Sequence, residues 1–288
     1  MLNGQLNAPP QQPSPLRQAW HWWRTLDQNP IYRRERGDWG RPNPYYNYLA
    51  RFSPFIVLGT LLAGACTAWL NPLFMSQVNE AFIVSCLLCL PGILLNVLTW
   101  YGVIMAPALT APAISLEINA GTWDIIRTTP HTDLSIVLAK FLGAMSRLRI
   151  WPTLTALSLL QGAILFVSTL IVTNNVDAPP LRLVASLLIA ASSALRPWVE
   201  VMFAGILGMY LSTHIPSTSL ALAASYGGLL FVRLFNNSLL WGTLSGVLTD
   251  QGSFSYALAL TAPPLIYLFI NIGIGAALMR RARNLATA

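Results

Sequence analysis

Lysine is almost missing from this 288-residue chain: Lys140 is the only one, and charged residues of every kind make up 9% of it. A soluble domain carries about a quarter, so there is too little charged surface to hold a globule of this size in water. Cysteine is scarce too. Cys66, Cys86 and Cys89 all lie in apolar runs, and the metal-like spacing of "CLLC" (86–89) has no histidine or further cysteine near it, so all three read as small core residues and no metal is expected. The chain lacks a G-x-x-x-x-G-K-[ST] loop and cannot cradle nucleotide phosphates in the usual way. It also lacks H-E-x-x-H, G-x-S-x-G and paired carboxylates, which leaves an intramembrane enzyme the weakest option. The first 15 residues, "MLNGQLNAPPQQPSP", have no apolar h-region and too many prolines to pack; they read as a disordered tail and not as a cleaved signal.

What is present is apolar. The hydrophobic share is 55% and the mean hydropathy is +0.55. Runs recur that are long enough, at about 20 helical residues, to cross ~30 Å of hydrocarbon. The fold class expected is an all-α integral membrane protein.

Before the first long run, "LRQAWHWWRTLDQ" (16–28) alternates with helical period. Leu16, Ala19, Trp20, Trp23 and Leu26 share one face, and Arg17, His21 and Arg24 share the other. Too polar to span, it reads as an interfacial helix lying on the membrane, or as an amphipathic helix docked on a partner. In "NPIYRRERGDWGRPNP" (29–44), Asn29 can cap a helix, Pro30 suits its first position and Gly37 ends it. Arg33, Arg34 and Arg36 would sit against anionic headgroups, or simply in a solvated loop.

Six spans follow: about 53–71, about 81–104 with Pro91 as a kink and a helical extension toward Glu117, about 150–172, and one each within 182–212, 218–247 and 254–279. The net charge of +7 follows topology and not nucleic acid binding. Fourteen of the 17 basic residues fall before the first span, between the second and third, or after the sixth, while the opposite loops offer Glu80, Asp177 and Asp250. Positive charge stays inside, so both termini are expected in the cytoplasm. The chain thus divides into a tail (1–15), an interfacial and connecting segment (16–52), a six-span domain (53–279) and a basic C-terminal tail (280–288).

Between spans two and three lies "EINAGTWDIIRTTPHTDL" (117–134). Thr122 or Gly121 can cap a helix of about two turns, Asp124 in its first turn suits the helix dipole, and Pro130 forces a stop. Trp123 and Ile126 face one way, with Ile125 close by, and Arg127 and Thr128 face elsewhere. An exposed tryptophan and isoleucine on so short a helix would want a groove in another protein. Residues 133–149 then form a second amphipathic helix.

The pattern of Glu117, Gly121-Thr122-Trp123-Asp124, Thr129-Pro130 and Lys140 resembles the "E…GTxE…TP…GK" signature of ABC-2 type transporter permeases, with Asp124 where Glu is commoner and Ala139 where Gly often precedes the lysine. "NPIYRRE" (29–35) is similar to the N-terminal segment of such permeases, and "LGMYLSTHIPSTSLALAASY" (207–226) to their turn between spans four and five. The resemblance implies the transmembrane subunit of an ATP-binding-cassette transporter in the prokaryotic cytoplasmic membrane. On that reading 121–130 is a coupling helix seated in a separate ATPase subunit, with Glu117, Gly121, Thr122, Trp123, Asp124, Ile126, Arg127 and Pro130 at the contact. A second permease subunit, identical or paralogous, would pair with it. ATP and Mg²⁺ would sit on the ATPase subunit, and this chain would itself be no enzyme. The resemblance also implies re-entrant helical pieces, which 234–253 fits. Without it, 122–129 reads as an ordinary capped connector.

Arg196, Glu200 and Arg233 fall inside spans. Arg196 and Glu200 stand four apart and could pair on one helix face. Ionisable groups at membrane depth are functional suspects, and these could line a pathway, seal a subunit interface or snorkel. Arg233 could reach an outer headgroup region if its span is shifted. Arg196 and Glu200 also support an alternative, a secondary transporter coupled through them, although no internal repeat is evident. A further alternative is a structural subunit of a larger membrane complex, which the tryptophan-rich N-terminus could serve. His131 and His214 read as surface residues in turns.

Overall fold

The computed structural model describes residues 23–37, 55, 58–59, 80–129, 132–172, 179–249 and 253–284. Every regular element among them is helical. The first full helix, α1 (Pro30–Arg36), is entered through a 3-10 turn at Leu26–Gln28. Its ends follow the sequence. Asn29 Oδ1 accepts from Ile31 N at 2.9 Å, Pro30 fills a position that needs no donor, and Gly37 closes the helix at φ +83°, left-handed backbone that favours glycine.

Next, α2 (Glu80–Thr110) and α3 (Pro112–Asn119) form one apolar path that continues through Pro91 and Pro107 and breaks at Ala111. Pro112 opens α3, whose first N–H groups have no helical acceptor. Ser212 Oγ accepts from Ile114 N and Ser115 N at 3.0 and 2.9 Å, a cap supplied from 98 and 97 residues away. The extension expected toward Glu117 is therefore a separate helix, held at its root by the far end of another span.

A short helix α4 (Trp123–Arg127) and an amphipathic α5 (Asp133–Arg147) follow. Thr132 Oγ1 caps α5 by accepting from Ser135 N at 3.3 Å. Four long helices complete the described chain: α6 (Trp151–Val172), α7 (Pro179–Ser212), α8 (Thr218–Thr249) and α9 (Ser253–Asn284).

Five stretches are long and apolar enough to cross a membrane: Pro91–Asn119, Trp151–Leu170, Leu183–Ser212, Thr218–Asn236 and Thr261–Ala282. Side chains such as Val97, Leu187, Phe231 and Phe269 point outward, which suits a hydrocarbon solvent, and the chain is an integral membrane protein. These stretches correspond to expected spans two to six. Expected span one, 53–71, falls outside the described residues save for isolated positions, as do the 1–15 tail, Trp20, Pro130 and His131. One expectation is corrected. Residues 234–249 are no re-entrant piece but the continuation of α8, which runs unbroken to Thr249; no proline interrupts it, and its glycines alone do not end a helix.

At the centre, α7 packs against α9, α2 and α6. Glycine sets the spacing. A Cβ on Gly102 would lie 2.7 Å from Ile150 Cδ1 and 2.8 Å from Val201 Cγ2, and one on Gly208 would collide with Thr110 Oγ1. Two side chains removed from the α2–α7 seam let the helices close, and Val103, Ala106, Val201 and Ala204 fill the contact.

Candidate functional site

Glu35, Glu117 and, through Glu117, Arg34 converge on Lys140. It sits on the buried face of α5 with its side chain 1% exposed. Its three ammonium protons meet three acceptors: Glu35 Oε1 at 2.8 Å, Glu117 Oε1 at 3.1 Å and the Ala113 carbonyl at 3.2 Å. Glu117 is equally committed. Its Oε1 also faces Arg34 Nη2 at 3.1 Å, and its Oε2 accepts from the Thr122 hydroxyl. Two cations and two carboxylates balance, which is the condition under which buried charge is tolerated. The cluster ties α1 (Arg34, Glu35), α3 (Ala113, Glu117), the turn before α4 (Thr122) and α5 (Lys140) into one body.

Backbone fit brings α1 to that position. One turn beyond Lys140, a Cβ on Gly143 would lie 2.6 Å from Glu35 Cβ and 2.9 Å from the Tyr32 carbonyl. Residue 143 must therefore be bare for α1 to lie flat on α5 and hold Glu35 over the ammonium. Ala139, Leu26 and Tyr32 form a small apolar cluster beside it. Arg34 is thus a partner of Glu117, with its side chain 57% exposed. Arg36 pairs with Asp27 at 3.2 Å, while Arg33 is exposed.

The short helix differs from its sequence reading in three ways. It has five residues and not two turns, about 7.5 Å at ~1.5 Å per residue. Thr122 stands at its N-cap, but the hydroxyl goes to Glu117 and not to a helix N–H. Most important, Trp123 is buried at 7% and joins the main core with Ile114, Ile136 and Met209, and Ile126 packs partly against the same core. A five-residue helix cannot hold itself together, and a buried indole supplies the anchor. Trp123 and Ile126 are therefore not the outward contact. Ile125, 67% exposed, and the exposed Asp124 and Thr128 form the outer face. Arg127 reaches Asp133 Oδ1 at 3.6 Å and Asp124 Oδ1 at 3.9 Å, fastening α4 to the first turn of α5. Gly121, at φ +66°, turns the chain into the element.

A second polar cluster lies within the spans. Arg196 Nε donates to Glu200 Oε1 at 2.8 Å, the i,i+4 pair read from the sequence. Arg233 does not turn outward to a headgroup. Its side chain is 14% exposed, lies 4.0 Å from the other Glu200 oxygen, and places its guanidinium 3.5 Å over the Trp100 ring. Glu200 falls in the middle third of the apolar stretch Leu183–Ser212, and Arg233 in the last turn of Thr218–Asn236.

Trp23 is exposed and lines a cavity of about 390 Å³. Tyr32, Trp151, Trp198 and Met202 form its walls, with Asp27 and Ser146 as polar members. Trp151 spends its Nε1–H on the Met145 carbonyl at 2.8 Å, which leaves the cavity mainly apolar.

Sequence reasoning missed Glu35, Gly143 and Ser212. A lone lysine on an apolar helix face is itself a signal that a buried carboxylate awaits it, but only the fold says which one. No protein-family model matches this sequence, and no curated protein matches it either.

Proposed function

We propose that this chain is the transmembrane subunit of an ATP-binding-cassette exporter of ABC-2 type. It would have six spans, both termini in the cytoplasm of a prokaryotic cell, and α4 as the surface on which a separate ATPase subunit acts. The observation that carries the reading is the clamping of α4. Through Thr122, Glu117 ties the turn before α4 to α3 and Lys140 ties it to α5, the helices that adjoin the α2 and α6 spans, while Ile125 and Asp124 are exposed. A lever must be stiff toward the load and free toward the motor, and α4 has both properties. The buried Trp123 alters the contact surface first expected but strengthens the stiffness. ATP and Mg²⁺ belong on the partner, since this chain has no phosphate loop. A second permease subunit completes the pathway.

The test is co-purification of the ATPase subunit with full-length chain in mild detergent. Ile125→Asp is expected to release the ATPase while the chain stays inserted and folded. If the ATPase stays bound, or if the wild-type particle contains none, the reading fails. The ion network of Arg196, Glu200 and Arg233 favours a second reading, a secondary transporter driven by an ion gradient. That reading predicts transport in vesicles without nucleotide and its collapse with the gradient.

A further inference from the structure

Among the ten acidic residues of the sequence, Glu200 alone lies deep within the described spans, where two arginines face it. Arg196 takes one of its oxygens and Arg233 approaches the other. The cluster therefore carries one positive charge in excess, in a region where uncompensated charge is costly. Two observations show that the excess is not met among the described residues. Arg233 Nη1 is buried and has no hydrogen-bond partner, and its guanidinium rests on the face of Trp100, a weak counter-charge. The cluster is also open on one side: the side chain of Arg196 is 39% exposed and Trp100 is 40% exposed. Near Trp100 and Arg196 in the chain, Val97, Ile104 and Leu195 are exposed, with the exposed Asn96 as a polar neighbour.

We infer that Arg196 and Arg233, held apart by Glu200, form an intramembrane binding site for the carboxylate or phosphate group of a membrane-dissolved amphiphile. Each part of the site has a task. Glu200 holds the guanidinium forks while the site is empty, and the forks match carboxylate or phosphate geometry. Trp100 keeps Arg233 from snorkelling. The exposed apolar flank accepts the tail. A second copy of the chain is a poor source of the missing negative charge, because among the described residues its only carboxylate at this depth is another Glu200 facing its own two arginines. Calling the amphiphile the transported substrate rests on the exporter reading, but its binding does not.

The experiment is native mass spectrometry of the full-length chain, purified with its companion subunits and released from phosphatidylcholine nanodiscs doped with oleate or with phosphatidylglycerol, without nucleotide. Wild type is expected to retain the anionic amphiphile over phosphatidylcholine. Arg233→Gln and Arg196→Gln should each weaken retention at least about tenfold, the scale of losing one partner of a desolvated charge pair. Glu200→Gln should strengthen retention, because the competing carboxylate is gone. That sign separates a ligand site from a structural ion pair, in which all three variants would lose binding together. If Arg233→Gln does not fold, Arg233→Lys keeps the charge, loses the fork and should still weaken retention. Retention of oleate alone assigns a free carboxylate, and retention of phosphatidylglycerol assigns a phospholipid headgroup. Unchanged retention in every variant, weaker retention in Glu200→Gln, or inorganic phosphate competing as well as the amphiphiles overturns the inference. None of these outcomes depends on ATPase association, which is read separately.

Discussion

Lys140 Nζ lies 3.1 Å from Glu117 Oε1, so two residues 23 apart in the chain close a loop around the short helix between them. The described residues between them, including α4, are held at their base by one buried pair, and Glu35 Oε1 at 2.8 Å seats α1 on the same ammonium. The two ends of the signature-like stretch thus have a physical reason to be an acid and a base.

Removing the base alone leaves two carboxylates at the base of that loop. Lys140→Met is therefore expected to cost about 3–5 kcal/mol, the scale for breaking one side of a buried pair. Thermal unfolding in detergent should show a lower midpoint for Lys140→Met, and Glu117→Gln added to it should recover part of the loss. A double variant no better than the single would mean that the two residues do not interact.

The helices were legible because apolar period and length are local properties, and so were Asn29, Pro30 and Gly37 at the ends of α1. The Arg196–Glu200 pair was legible for the same reason, since four residues on a helix fix a shared face. The hub was not. Glu35 and Lys140 are 105 residues apart, and only the close approach at Gly143 brings them together. Trp123 misled because burial of one side chain on a short helix depends on what lies beneath it, and neither period nor composition reports that.

The contrast between Trp123 and Ile125 gives a paired prediction. Trp123→Ala opens a cavity in the main core and should cost about 3–5 kcal/mol. Ile125→Ala, on the outer face, should stay within about 0.5 kcal/mol. Denaturant or thermal titration of the two variants checks this, and equal losses would place both side chains in the core.

Gly143 predicts a loosened α1. A leucine there would drive its side chain into Glu35 and the Tyr32 carbonyl, lifting Pro30–Arg36 from α5. Trypsin should then cut at Arg33, Arg34 or Arg36 at least about tenfold faster, because proteolysis follows the population of the open form, while α6–α9 stay intact. An unchanged cleavage rate would show that α1 is not held by this contact.

Ser212 makes a sharper claim, because one hydroxyl serves two donors. Ile114 and Ser115 each give their N–H to Ser212 Oγ, since the break at Ala111 has removed the usual acceptors. Ser212→Ala leaves both donors buried and unmet, at about 1–3 kcal/mol for such a loss. The damage should be local: faster amide exchange in Pro112–Asn119, at the root of the loop that carries α4, with α6 unaffected. Ser212→Thr keeps the oxygen and, where its extra methyl is accommodated, should restore protection. Uniform exchange changes across the protein would instead mean that the hydroxyl serves the whole fold and is no local cap. The distinction bears on transmission, because α3 is the segment through which movement of α4 would enter the α2 span.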